Sequence, residues 1–406
     1  TAPIFLPNQI GGYMPAEPGK PALEGKRGEP EDGQKSPNAT LVALSKGYVV
    51  ASPGARGRTE PTGKAPAAIV DLKAAVRYLK ANDKAMPGDA KKIISNGTSA
   101  GGAMSALLGA TADQKDYEKY LKALGAADGS DKVFAVSAYC PITDLDHADM
   151  AYEWQFNGIN DYKKMNISML DYRVKRELVA GTLTDDEKKL SDLLKPLYPA
   201  YLNSLNLKSP EGKPLTLDAQ GNGSFKNHIA GLLAKSAQTQ LDAGKDLSDR
   251  TWLTVRKGKV VSVDFDAYAK AAGRQKTPPA FDGVDLSAGE NQLFGTNTVD
   301  KRHFTAFSMQ HNTAANAEIA DEETIKIMNP LNYIGKPGVN LPQNWRIRVG
   351  TNDRDTSLAV SAVLAAKLQN NGQTVDYALP WDVGHGGDYD LDELFAWMKQ
   401  VSNSAK

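Results

Sequence analysis

Lys92-Ile93-Ile94-Ser95-Asn96-Gly97-Thr98-Ser99-Ala100-Gly101-Gly102 is the stretch that decides the fold. Its first five residues read as a short strand, Gly97 to Gly102 as a tight glycine turn, and Ala103 to Leu108 as a helix. The turn matches G-x-S-x-G, in which a serine sits on a sharp strand-to-helix turn and small residues on either side let the turn close. Such a turn lifts the hydroxyl clear of the sheet. It also leaves the next amide, that of Ala100, at a helix N-terminus, where it can donate to a developing oxyanion. Chance matches are common in glycine-rich chains, so the weight lies in the strand before and the helix after. The competing reading is a plain βα turn with a surface serine.

The flanking sequence repeats the strand-helix rhythm. Gly47 to Pro53 is a short β-branched run, and Pro66 opens a helix whose apolar positions Ile69, Leu72, Val76 and Leu79 share one face. Val133 to Tyr139 reads as a buried strand. Trp345 to Val349 and Thr374 to Leu379 read as later strands, and Leu358 to Leu368 and Asp390 to Val401 as helices. Repeated βα units predict an α/β protein with a mostly parallel sheet flanked by helices, and the serine turn makes it an α/β-hydrolase fold. From 147 to 310 the rhythm disappears, and charged helical patches alternate with Gly/Pro-containing segments. This is read as a large helical and irregular lid insertion in a core formed by 1–146 and 311–406.

Composition narrows the function classes. Lys plus Arg and Asp plus Glu number 48 each, for a formal net charge of +0. Nucleic acid is therefore not expected as a partner, because a phosphate backbone calls for a basic surface. No run of about 18 apolar residues is present, so no membrane span is expected. The one cysteine, Cys140, forbids an intrachain disulfide and is read as a buried, inert thiol. No CxxC, HExxH or P-loop pattern appears, so neither metal nor cofactor is expected. The chain opens on Thr1 within a strand-and-loop segment. A leader removed before it would fit secretion or a periplasmic location. The oligomeric state is left open.

The fold orders its catalytic residues as serine, then Asp or Glu, then histidine. Of five histidines, His385 alone lies in the last strand-helix segment, in the glycine-rich loop Asp382 to Asp388. There it can reach Ser99 as general base and then general acid. His147, His228, His303 and His311 are read as surface or lid residues. Asp353 and Asp355 follow the strand where the acid belongs. Asp353 is favoured as the orienting acid, and helix capping is the plain alternative for Asp355. The second oxyanion amide is expected in the early loop Pro7 to Tyr13, at Gly11 or Gly12.

Five motifs taken together resemble the bacterial (subtype B) tannase-like esterases: Pro7-Asn8-Gln9-Ile10-Gly11-Gly12-Tyr13, Ser52 to Arg58, Gly97 to Gly102, Gly350-Thr351-Asn352-Asp353-Arg354-Asp355-Thr356, and His385-Gly386-Gly387. The resemblance spans nearly the whole chain. It implies a Ser99-Asp353-His385 triad acting on galloyl esters, a small-molecule aromatic substrate. It further implies that Lys276 and Glu290, from the insertion, and Asp355, two residues past the triad acid, hold the phenolic hydroxyls. Without the resemblance, Lys276 and Glu290 read as ordinary surface charges. A feruloyl or other hydroxycinnamoyl esterase is the nearest enzymatic alternative. An inactive α/β-hydrolase-fold binding protein is the alternative from another class.

Overall fold

The computed structural model describes residues 1–25, 33–170 and 173–404. Six strands build its central sheet: β1 (Pro3–Pro7), β2 (Val49–Val50), β3 (Asp89–Thr98), β4 (Ala135–Tyr139), β5 (Asn344–Arg348) and β6 (Thr374–Ala378). They lie in the order β6-β5-β4-β3-β1-β2, and every pairing is parallel. Helix Ala67–Ala81 buries Ile69, Leu72, Val76 and Leu79 as the apolar spacing predicts.

β1 and β4 read as largely apolar runs because both faces of the sheet are covered there, whereas β5 and the edge strand β6 interleave charged residues. Alternation sorts the side chains between two cores. Ile4, Leu6, Ile93, Val136, Trp345 and Ile347 join the larger cluster, with helices Ala67–Ala81, Ala100–Ala110 and Leu358–Asn370. Phe5, Ile94 and Ala135 join the smaller one, under Leu394, Phe395 and Met398 of helix Leu391–Asn403. Phe5 and Phe395 meet edge-on, with ring centroids 5.5 Å apart.

The segment 147–310 shares the larger core: Trp154, Phe225 and Phe281 belong to the same buried cluster as the sheet. Its first helix, Leu145–Phe156, starts before 147. The segment holds helices, among them Asp185–Leu194 and Ser224–Asp242, but also two β-hairpins that the sequence reading did not foresee. One pairs Leu253–Arg256 with Lys259–Val263 through Lys257 and Gly258, whose φ values of 51° and 73° suit a tight primed turn. The other pairs Asp161–Leu170 with Arg173–Thr182. Met165, Leu178 and Val179 on the long hairpin are exposed. Among the hairpin residues whose side chains are described, none is buried, and Lys163-Lys164 and Lys175-Arg176-Glu177 interrupt the apolar positions of the two strands.

At the end of β3 the helix begins immediately after Ser99, at Ala100 rather than at Ala103. Ser99 stands at φ 61°, ψ −120°, in the left-handed half of backbone space. Its neighbours are glycines because backbone passes where a Cβ would be. A Cβ on Gly97 would stand 2.1 Å from the Gly101 carbonyl oxygen, and one on Gly101 would stand 2.4 Å from Asn8 Oδ1. Gly101→Ala should therefore destabilise the fold by about 1–3 kcal/mol, the usual toll of overpacking. Urea unfolding measures this, and a variant as stable as the parent would refute the close-packed reading of the turn.

Candidate active site

All the loops that matter leave the C-terminal edge of the sheet, where parallel α/β sheets place their sites. Ser99 follows β3 and Asp353 follows β5. The histidine loop follows the edge strand β6 and runs back across to reach β3. Hydrogen bonds hold it there: Thr351 N–H to Pro380 O at 2.9 Å, Asn352 N–H to Val383 O at 2.9 Å, and Asp382 N–H to Thr351 Oγ1 at 2.8 Å. At its far end Asn96, on β3, donates to Asp388 Oδ1 at 3.0 Å.

The result is a continuous relay. His385 Nε2 is 2.7 Å from Ser99 Oγ, and His385 Nδ1 is 2.8 Å from Asp353 Oδ2. Asp353 is fully buried, and its other oxygen accepts the Asp355 N–H at 2.9 Å. Asp355 Oδ2 stays 3.5 Å from the imidazole, outside good hydrogen-bond range. The cap of helix Leu358–Asn370 is Ser357, so Asp355 is not a capping residue. Burial works to lower the His385 pKa, but the Asp353 carboxylate beside it, with the nearby Cys140 sulfur, outweighs burial and leaves it well above 6.5.

Cys140 is buried as expected, with burial pushing its thiol pKa up. It is not remote, however: its sulfur lies 4.0 Å from His385 Nε2 and donates to Gly386 O at 3.3 Å.

These groups face a cavity of about 1000 Å³ that is also lined by Gly11, Gly12, Lys276, Glu290 and Asp355. Of the residues predicted for the site, Ser99, Ala100, Gly11, Gly12, His385, Lys276, Glu290 and Asp355 line this cavity, and Asp353 lies buried behind His385. Ala100 opens its helix, where the first amides have no intrahelical partner. Asn8, whose role the sequence did not reveal, fixes the loop of Pro7 to Tyr13 against the turn of Gly97 to Gly102. It donates to Gly101 O at 3.0 Å and Asn96 O at 3.3 Å and accepts the Ile10 N–H at 3.1 Å. Arg58 joins the same loop to the Glu290 helix, Gly289–Leu293, donating to Gly12 O at 2.8 Å and to Gln292 Oε1 at 2.5 Å. The Lys276 ammonium sits 4.1 Å from the centroid of the Phe281 ring, a cation-π contact. Met165 and Leu178 bring the long hairpin to the cavity wall.

The other histidines divide. His303 is not a surface residue: it is fully buried between Asp282 (2.6 Å from Nδ1) and Asn312 (2.8 Å from Nε2). His147 stacks on Tyr201 and bonds Asp144 at 2.7 Å. Asp144, Asp146 and His147 lie close enough to hold a cation. Asp144 already receives hydrogen bonds from Asn329 and Tyr201, which suits a structural polar knot. Among the described residues no helix is long and apolar enough to cross a membrane.

Comparison with known proteins agrees with this geometry. The family model BD-FAE matches residues 26–184. A Fusobacterium nucleatum tannase shares 51% sequence identity over 99% of this chain and 86% of its own, with a TM-score of 0.92. The chain belongs to the tannase family of α/β-hydrolases. A tannase from Lactobacillus plantarum matches at 45% identity over 99% of this chain and 86% of its own, with a TM-score of 0.92. A tannin acyl hydrolase in complex with ethyl gallate matches at 46% identity, 99% and 85% coverage and a TM-score of 0.89. No curated protein matches. The family is one of carboxylic ester hydrolases, whose chemistry needs a neutral histidine as base.

The raised His385 pKa sets a pH signature. Protonated imidazole cannot take the serine proton, so kcat/KM should climb as pH rises through a value above 6.5. In Asp353→Asn the raising charge is gone and burial remains, so the climb should move to lower pH while kcat falls on the order of 10⁴-fold. A pH-rate profile of both forms checks this. An unmoved climb in the variant would contradict the assignment of Asp353.

Proposed function

We propose that this chain is a serine carboxylesterase that cleaves galloyl esters, with Ser99 as nucleophile, His385 as base and then acid, and Asp353 as the group that orients the imidazole. The observation that carries the reading is the Asp353-His385-Ser99 relay, at 2.8 and 2.7 Å, opening on a cavity that also presents Lys276, Glu290 and Asp355.

The chemistry is acyl transfer in two halves. Ser99 Oγ attacks the ester carbonyl carbon while its proton passes to His385 Nε2. The carbonyl oxygen becomes an oxyanion, held by the amide of Ala100 and that of Gly11 or Gly12. The carbon–oxygen bond to the alcohol then breaks, and His385 returns the proton to the departing oxygen. Water repeats the sequence on the acyl-enzyme, freeing the acid and restoring Ser99. Asp353 accepts Nδ1–H throughout, which keeps Nε2 facing the serine.

Specificity belongs to the polar groups. Carboxylates such as Glu290 and Asp355 accept strong hydrogen bonds from phenolic O–H groups, and a lysine donates to a phenol oxygen. A ring without hydroxyls would leave those groups desolvated and unpaired, which such sites penalise heavily. That the tannin acyl hydrolase above is in complex with ethyl gallate supports a small aromatic ester as the ligand class.

Hydrolysis of methyl gallate should exceed that of methyl benzoate by on the order of 10³-fold or more in kcat/KM, and Ser99→Ala should abolish it. Glu290→Gln and Lys276→Met should each raise KM for methyl gallate about ten-fold or more. Steady-state kinetics decides. Methyl benzoate or methyl ferulate turned over as well as methyl gallate would remove the galloyl assignment and leave a general esterase.

A further inference from the structure

The mechanism gives no part to helix Leu145–Phe156, yet its side chains hold the two segments that bring Gln275, Lys276, Arg354 and Asp355 to the cavity, and Phe281 beside them. Asp149 accepts the Phe281 N–H at 2.6 Å. Glu153 and Arg274, both buried, form a bidentate pair at 2.6 and 2.9 Å, and Arg274 also donates to Lys276 O at 3.2 Å. Gln155 Oε1 accepts Ser357 Oγ–H and Leu358 N–H, each at 2.9 Å, at the helix start beyond Asp355.

Tyr152 lies at the centre of this frame and is fully buried. Its hydroxyl accepts the N–H groups of Gln275 at 3.1 Å and Lys276 at 3.0 Å, and donates to Arg354 O at 2.8 Å. A phenolic hydroxyl has one donor and two acceptor sites, so its capacity is used up. Every partner is backbone, on two segments about 80 residues apart in sequence. One carries Lys276. The other carries Asp353, Arg354 and Asp355. The same junction is completed outward by Gln275, whose Nε2 donates to Asp355 Oδ1 at 2.8 Å. Burial raises the Tyr152 pKa, which keeps the hydroxyl protonated and able to donate.

We propose that Tyr152 is a specificity-determining positioning residue: its hydroxyl locks the Lys276 segment to the Asp353–Asp355 loop, and so fixes the polar groups facing the acyl ring relative to the Ser99 nucleophile. The inference rests on the reading of Lys276 and Asp355 given under the proposed function. Tyr152 touches neither substrate nor reacting atoms. It acts through two backbone segments, and loss of its hydroxyl loosens ring recognition more than it loosens the relay, which the histidine loop holds independently.

The test compares methyl gallate with p-nitrophenyl acetate, an activated ester whose acyl group carries no ring. Tyr152→Phe keeps the shape of the side chain and removes the hydroxyl. The ratio of kcat/KM for gallate to that for acetate should fall at least about ten-fold, mainly through a higher KM for gallate. Thermal unfolding is read alongside. Gln275→Leu, at a half-buried position on the cavity wall, removes the next link without emptying the core and should lower the same ratio. Equal losses on both esters, or an unchanged ratio, in whichever of these variants folds would overturn the proposal. A parent enzyme with no preference for methyl gallate would instead overturn the proposed function, and this inference with it. A parent that prefers methyl gallate beside variants that keep the preference would overturn this inference alone.

Discussion

The site depends on one backbone conformation, that of Ser99 at φ 61°. Non-glycine residues are held there only when the surroundings over-determine them. Here the surroundings are backbone packed on backbone. Gly97 and Gly101 leave no room for a side chain, and Asn8 hydrogen-bonds directly to the carbonyls around the turn. Two consequences follow from the same geometry. The hydroxyl stands clear of the sheet, and the amide of Ala100 begins a helix beside it. Nucleophile and oxyanion donor are thus products of one turn.

The rest of the machinery is brought to that turn by sheet order. β4 separates the strand of Ser99 from the strand of Asp353, and His385 comes from the edge strand beyond. The three side chains can meet only because the loops after β5 and β6 are stitched together and tied back to β3 through Asn96 and Asp388. The segment 147–310 then supplies Met165, Leu178, Gln275, Lys276 and Glu290 to the cavity wall. It shares the larger hydrophobic core, so the polar groups it contributes stand on packed structure and not on a tether.

The relay was legible in the sequence because its determinants are local: a glycine-flanked serine between strand and helix, an acid and a histidine each just past a strand, in the order the fold requires. Lys276 and Glu290 were not legible as isolated charges, since nothing nearby in sequence distinguishes them from solvated residues. Only the family resemblance singled them out. Asn8, Arg58 and Tyr152 stayed hidden for a different reason. Apart from the Gln292 side chain that Arg58 meets and the Ile10 amide next to Asn8, their partners are main-chain groups dozens to hundreds of residues away, and a hydrogen bond to backbone leaves no mark on the partner's side chain. His303 was read as a surface or lid residue; it lies in the insertion but is buried, because its pairing with Asp282 and Asn312 takes shape only when the chain folds. The long hairpin escaped because charge interrupts its apolar residues, Lys163-Lys164 in one strand and Lys175-Arg176-Glu177 in the other.

Activation of Ser99 inside a ring-binding cavity is the central claim. Its most direct test is labelling of the folded protein with a fluorophosphonate probe, followed by peptide mass spectrometry, with gallate or benzoate added as competitor. The account predicts a single label on Ser99, lost in His385→Ala and slowed by gallate far more than by benzoate. A label elsewhere, no label at all, or equal protection by the two acids would contradict it.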